Sequence, residues 1–170
     1  MSTKGFALVL IDLQNWIVEM PWAPCSGADV VDACVRLQDK FAGHDNPVVI
    51  VRYLRADGQD GGTANIANAL VPQLSQCASQ HVVTKNGLDA FENTDLDTHL
   101  RSLDVTTLVI AGLSTAHGVA ATATTALNSG YHVVVASDAT ASVTAGEHNR
   151  ALDQIASLGA QISTVEHIGA

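Results

Sequence analysis

Short, continuously apolar runs separated by helical patterns constrain this chain more than any other feature. Residues 6–11 read Phe-Ala-Leu-Val-Leu-Ile, and residues 48–51 read Val-Val-Ile-Val. A strand that is apolar on both faces must be covered on both faces, which points to a parallel sheet lying between helices. Six strands are expected, over residues 6–11, 47–53, 82–84, 107–111, 131–136 and 161–165. Val30, Val31, Ala33, Cys34, Leu37 and Phe41 recur at helical spacing and give a helix over 28–41. Further helices are expected over 95–103, 119–128 and 145–158, the last two closed by Gly130 and Gly159. A helix is also expected within 64–74, where Pro72 interrupts the pattern. The alternation gives an α/β fold: three layers, α/β/α, with a doubly wound six-stranded parallel sheet and right-handed crossovers. There is no repeat, low-complexity tract or linker, so residues 1–170 read as a single domain.

Charge and cysteine usage narrow the function. The net charge is −9, and only Lys4, Lys40 and Lys85 supply lysine. Without a basic cluster, a nucleic-acid partner is not expected. No run approaches the ~20 apolar residues of a membrane span, and the apolar stretch ending at Asp12 is too short for a signal core with a cleavage site. Cys25, Cys34 and Cys77 form neither a CxxC pair nor an even framework, which favours a reducing, cytoplasmic setting. His44, His81, His99, His117, His132, His148 and His167 are scattered without metal-ligand spacing, so neither a metal nor a cofactor is expected. The loop over 57–62 lacks the Gly-Lys-Ser/Thr ending of a phosphate loop.

In a doubly wound sheet, ligands bind beyond the carboxyl ends of the strands. Asp12, residues 52–55, Lys85, residues 112–118 and Asp138 stand there. Asp12 is either a desolvated general acid or base, or the N-cap of the next segment. Lys85 is either a functional cation or a snorkelling surface residue. Ser114 and Thr115 sit where backbone N–H groups of a strand-turn-helix junction converge; they fit an oxyanion site or a helix cap. His117 is a base, a substrate contact or a histidine bonded near the helix start. Trp16, Trp22 and Phe91 either wall a pocket or fill core. Asp138 reads as a structural acid in a turn.

Four segments in order resemble the isochorismatase-like hydrolases along nearly the whole chain. They are Ile11-Asp12-Leu13-Gln14-Asn15-Trp16, then Thr84-Lys85 with Asp89-Ala90-Phe91-Glu92-Asn93-Thr94-Asp95-Leu96. Next come Gly112-Leu113-Ser114-Thr115-Ala116-His117-Gly118-Val119, and finally Gly130-Tyr131-His132-Val133-Val134-Val135 with Asp138-Ala139. The resemblance implies a hydrolase of small molecules that forms dimers or larger homo-oligomers. It also implies a catalytic set of Asp12, Lys85 and residue 118, a non-proline cis peptide between Leu113 and Ser114, and an oxyanion hole from the N–H groups of Ser114 and Gly118.

In most members of the family the last catalytic position is a nucleophilic cysteine; here it is Gly118, which has no thiol. The Asp-His-His metal motif of the nicotinamidase branch is missing around residues 55–62. True isochorismatases also carry glycine at that position and cleave a vinyl ether without a covalent intermediate. By that resemblance Asp12 is the general acid and Lys85 orients it. Trp16, Arg52, Ser114, Thr115 and His117 contact a small carboxylated substrate, with Arg52 or Arg55 pairing with its carboxylate. Two alternatives stand beside this reading. One is a cysteine hydrolase of amides or ureides whose thiol is replaced by Gly118, through engineering or decay of the gene. The other is a catalytically silent binding protein.

Overall fold

A computed structural model describes residues 5–74 and 80–169. Six parallel strands form one sheet: β1 (Phe6–Ile11), β2 (Val48–Tyr53), β3 (Gln80–Lys85), β4 (Thr107–Leu113), β5 (His132–Ala141) and β6 (Gln161–Ser163). Their order is β3-β2-β1-β4-β5-β6. The helices are α1 (Asn15–Val18), α2 (Gly27–Ala42), α3 (Leu96–Ser102), α4 (Ala120–Asn128) and α5 (Ala145–Ser157).

Strand alternation sorts the core into two layers. Leu8 and Leu10 of β1, with Val48 and Ile50 of β2, pack beneath Val30, Leu37 and Phe41 of α2. Ala7, Val9 and Ile11, with Val49 and Val51, face the other way, against Leu96 and Leu100 of α3, Ala123 of α4 and Ile155 of α5. Successive strand residues point to opposite faces, so both faces are buried and the runs are apolar throughout. The start of α2 is fixed by a capping box: the Ser26 hydroxyl accepts from the Asp29 N–H, and Asp29 accepts from the Ser26 N–H.

The structure departs from the sequence reading in several places. No α-helix forms over 64–74. Two 3₁₀ turns, Gly62–Ala64 and Ile66–Asn68, occupy its start. They are held by side chains: Asn68 Nδ2 donates to the carbonyls of Asp60 and Gly62. β3 is longer at both ends than expected, and β5 runs on to Ala141. After an irregularity between Ile110 and Gly112, β4 and β5 pair again as Gly112 with Thr140 and Leu113 with Ala141. Asp138 therefore lies within β5 rather than beyond it, and its carboxylate accepts from the Val165 N–H at 2.8 Å. The helix expected over 119–128 is preceded by a single π-type turn, Thr115–Val119.

The strand order reverses between β1 and β4, which lie side by side. This is the topological switch point, where a doubly wound sheet opens a crevice. Gly112 is needed there. Its φ is +112°, and a Cβ on it would lie 2.2 Å from the Ile11 carbonyl oxygen. Asp12 and Ser114 are the first residues beyond the two strands.

Candidate active site

Asp12 leaves β1 in the left-handed region, with φ 53°. Its N–H donates to the Val51 carbonyl, and its own carbonyl accepts from Gln14 N–H. A left-handed residue other than glycine is uncommon and costs about 1–3 kcal/mol, and Asp45, Asn93 and Asp104 share the conformation in other turns. The carboxylate meets Lys85 and, among the described residues, no backbone N–H, so Asp12 is not a helix cap; α1 begins at Asn15 with no side-chain cap.

Lys85, the last residue of β3, reaches the same point from the side. Its Nζ lies 2.9 Å from Asp12 Oδ2, with the two side chains 1% and 9% exposed. It also donates to the Gly87 carbonyl at 2.9 Å and lies over the Tyr53 ring at 5.5 Å. This lysine does not snorkel. Burial pushes the Asp12 carboxyl up from 3.8 to about 6, even though the charge and hydrogen bond of Lys85 pull it down. Asp12 Oδ1 is buried and has no hydrogen-bond partner among the described residues. An unsatisfied buried oxygen is tolerated better on a protonated carboxyl than on a carboxylate.

The turn after β4 forms the facing wall. The Leu113–Ser114 peptide is cis, at the position the family resemblance implied. Ser114 Oγ and His117 Nδ1 are 2.9 Å apart. The Ser142 hydroxyl accepts from the Ala116 N–H and ties the turn to the end of β5. Gly118 is buried. A Cβ there would stand 2.9 Å from Ile11 Cγ2 and 3.6 Å from Asp12 Oδ2.

These groups share a cavity of about 250 Å³ with Trp16, Trp22, Tyr53 and Leu88. A larger cavity, about 520 Å³, opens at the amino ends of β1, β4 and β5 beside residues 167–169. No acid, lysine or arginine lines it. The smaller cavity, at the carboxyl ends of the strands, is the one that holds Asp12, with Lys85 behind it.

Of the residues singled out in the sequence, Asp12, Trp16, Trp22, Ser114, His117 and Gly118 line this cavity. Lys85 reaches it through Asp12. Arg52 does not line it: its Nε donates to Thr84 Oγ1 at 2.8 Å, and its neighbour Tyr53 faces the cavity instead. Arg55 pairs with Asp57 on an exposed loop. Thr115 is fully buried, with its hydroxyl 2.8 Å from His148 Nδ1, and belongs to the scaffold. Phe91 packs against the apolar core rather than the pocket. Sequence reasoning missed Tyr53, Met20 and Leu88, although Tyr53 lay in the strand-end segment over 52–55. It also gave no structural role to Gln14, which is fully buried. Gln14 Nε2 donates to the Tyr53 and Asn68 carbonyls, and its Oε1 accepts from Tyr53 N–H. Among the described residues no group of acids, histidines and cysteines is placed to hold a metal ion. No helix among them is long and apolar enough to cross a membrane. Cys77 lies outside the described residues.

The isochorismatase domain model matches residues 6–167. The chain belongs to the isochorismatase family. An isochorismatase family protein of Escherichia coli O157:H7, YecD, is 32% identical, over 99% of this chain and 96% of that protein. The structure of an isochorismatase family protein from Burkholderia thailandensis superimposes with a TM-score of 0.88 at 34% identity, covering 97% of this chain and 94% of that one. A nicotinamidase from Bacillus subtilis superimposes with a TM-score of 0.82 at 25% identity, over 94% and 99%. As an isochorismatase-family protein the chain is a hydrolase acting on small molecules.

Proposed function

We propose that this hydrolase cleaves an enol ether without a covalent intermediate, with Asp12 as general acid. The observation that carries the reading is the Asp12 carboxyl: buried, raised to about 6 and held at 2.9 Å by Lys85 beside a wall that has no side chain at 118. Protonated Asp12 gives its proton to the terminal enol carbon, using the C=C electron pair. The resulting oxocarbenium carbon takes up water and loses a proton. The hemiketal then collapses to a carbonyl compound and an alcohol, so the sum is addition of one water and scission of one C–O bond. Lys85 orients Asp12 and stabilises its anion after transfer.

Gly118, in this reading, stands where most relatives carry their cysteine and is the working residue. The packing supports that: the Ile11 Cγ2 methyl fills space that a Cβ at 118 would need. One observation favours a second reading. The same Cβ would stand 3.6 Å from Asp12 Oδ2, where a thiol would meet a base. In that case Gly118→Cys switches on amide hydrolysis.

The test is carbonyl release from uncharged and carboxylated enol ethers by the purified protein, with Asp12→Asn as control. Release that disappears in the control is the expected result. Release that persists in Asp12→Asn removes Asp12 as the acid, and no release from any enol ether together with amide hydrolysis by Gly118→Cys replaces this reading with the second.

A further inference from the structure

The resemblance implied a carboxylated substrate, and among the described residues neither lysine nor arginine lines the cavity to receive one. Lys85 is 2% exposed and does not line the cavity; its ammonium lies against Asp12 and donates to the Gly87 carbonyl. Arg52 is bonded to Thr84 across the sheet, and Arg55 to Asp57 on a loop. Burying a carboxylate without a paired donor is strongly unfavourable, and specific carboxylate sites are commonly built from an arginine fork.

The walls point to a different class. Trp16, Met20 and Leu88 line the cavity yet remain 39%, 38% and 55% exposed. Large apolar side chains left open at a pocket mouth gain burial when an apolar ligand enters. Trp22 and Tyr53 add aromatic surface deeper in. Trp22 is fixed by its indole N–H, which donates to the Ile17 carbonyl at 2.7 Å. Two further polar groups on the wall are the Ser114 hydroxyl and the His117 ring bonded to it. They suit an ether or hydroxyl oxygen. A few placed polar groups on an apolar wall are the usual makeup of a small-molecule site.

We infer that this cavity takes an uncharged substrate with an aromatic or alkyl body, oriented by Ser114 and His117, and discriminates against carboxylates. Leu88 and Trp16 set this preference from the rim. The inference rests on the reading that this cavity is the active site, but not on the enol-ether mechanism. Two measurements keep those separate.

The first is binding, read from quenching of tryptophan fluorescence, since Trp16 and Trp22 both border the cavity. Ethoxybenzene and phenoxyacetate are the probes; they share an aryl ether body and differ in the carboxylate. Ethoxybenzene is expected to bind at least about tenfold tighter at neutral pH, because the anion meets no lysine or arginine on the wall. The exposed rim position tolerates Leu88→Arg, which is expected to tighten phenoxyacetate by about tenfold and weaken ethoxybenzene. Phenoxyacetate binding as tightly as ethoxybenzene to the wild type, or no quenching by either, overturns the inference. The second is turnover of phenyl vinyl ether against α-phenoxyacrylate, both of which release phenol. A higher kcat/KM for the uncharged compound is expected, and a higher value for the acid overturns the inference. Failure of both to react counts against the proposed mechanism, not against the charge preference, which the binding measurement decides.

Discussion

Asp12 is an acid held between two opposing influences, and its reactivity follows from their balance. Burial favours the protonated form, and Lys85 favours the anion; burial wins, at about 6. A general acid needs the proton, so enol-ether turnover is expected to fall by about tenfold per pH unit above an inflection near 6. A pH–rate profile on the purified protein checks this, and a rate that climbs through the same range contradicts it. Asp12→Asn should lower kcat by about 10²-fold or more, since it removes the donor while keeping the shape. Lys85→Met removes the influence that lowers the Asp12 pKa, so its inflection should move to higher pH. A profile that stays in place would show that Lys85 does not act on Asp12. Both residues were picked out by the rule that ligands bind beyond strand ends, and the structure brings them together. What sequence left open was their alternative roles, since capping and snorkelling depend on direction. The left-handed turn at Asp12 and the closeness of β3 to β1 across β2 settle direction, and neither is written locally. Arg52 shows the converse. It sits at a strand end, but the two-residue periodicity turns it away and presents Tyr53.

At the scale of elements, the junction of β1 with the turn after β4 is packed to the limit of a glycine. Gly118 has no left-handed φ, so alanine there would ordinarily gain up to about 1 kcal/mol in a helical segment. Instead its Cβ meets Ile11 Cγ2 at 2.9 Å, and overpacking of this kind costs about 1–3 kcal/mol. Gly118→Ala is therefore expected to lower the Tm, and Ile11→Leu, which removes the branch methyl, should restore part of the loss. A Tm that holds or rises in Gly118→Ala would show that Ile11 yields easily. On the other side of the site, Gln14 joins α1 to the end of β2 and to the 3₁₀ turn at Asn68. Gln14→Leu leaves several buried backbone groups unpaired, and a loss of about 2–4 kcal/mol in chemical denaturation is expected. That clamp also explains why the helix read over 64–74 does not form. Its turns are dictated by Asp60, Gly62 and Gln14, partners that a periodicity argument within the segment does not contain. The long strands were readable because each is apolar on both faces. The extension of β5 to Ala141 was not, because its polar residues pair with β4 only after an irregularity in register.

For the molecule as a whole, the buried Asp12–Lys85 pair couples the site to folding stability in a direction opposite to most acids. A native carboxylate that gains partners usually has a lowered pKa, as Asp57 and Asp97 do beside Arg55 and Arg101. Such groups contribute stability that is present above the unfolded value and lost as pH falls. Asp12 is raised from 3.8 to about 6. Between those values the folded state binds more protons than the unfolded state at this position, so its contribution is fully present below about 3.8 and is lost as pH rises through about 6. The acids on the exposed surface pull the other way in the acid range, so total stability alone does not isolate the effect. The difference between Asp12→Asn and wild type does, because asparagine does not titrate and the surface acids cancel. That difference should shift in favour of the variant as pH rises from about 4 to about 6.5 and then level off. Denaturant melts at half-unit pH steps measure it. A difference that is flat across the window would mean that Asp12 is ionised throughout. The general-acid mechanism would then lose its proton donor, whatever the substrate.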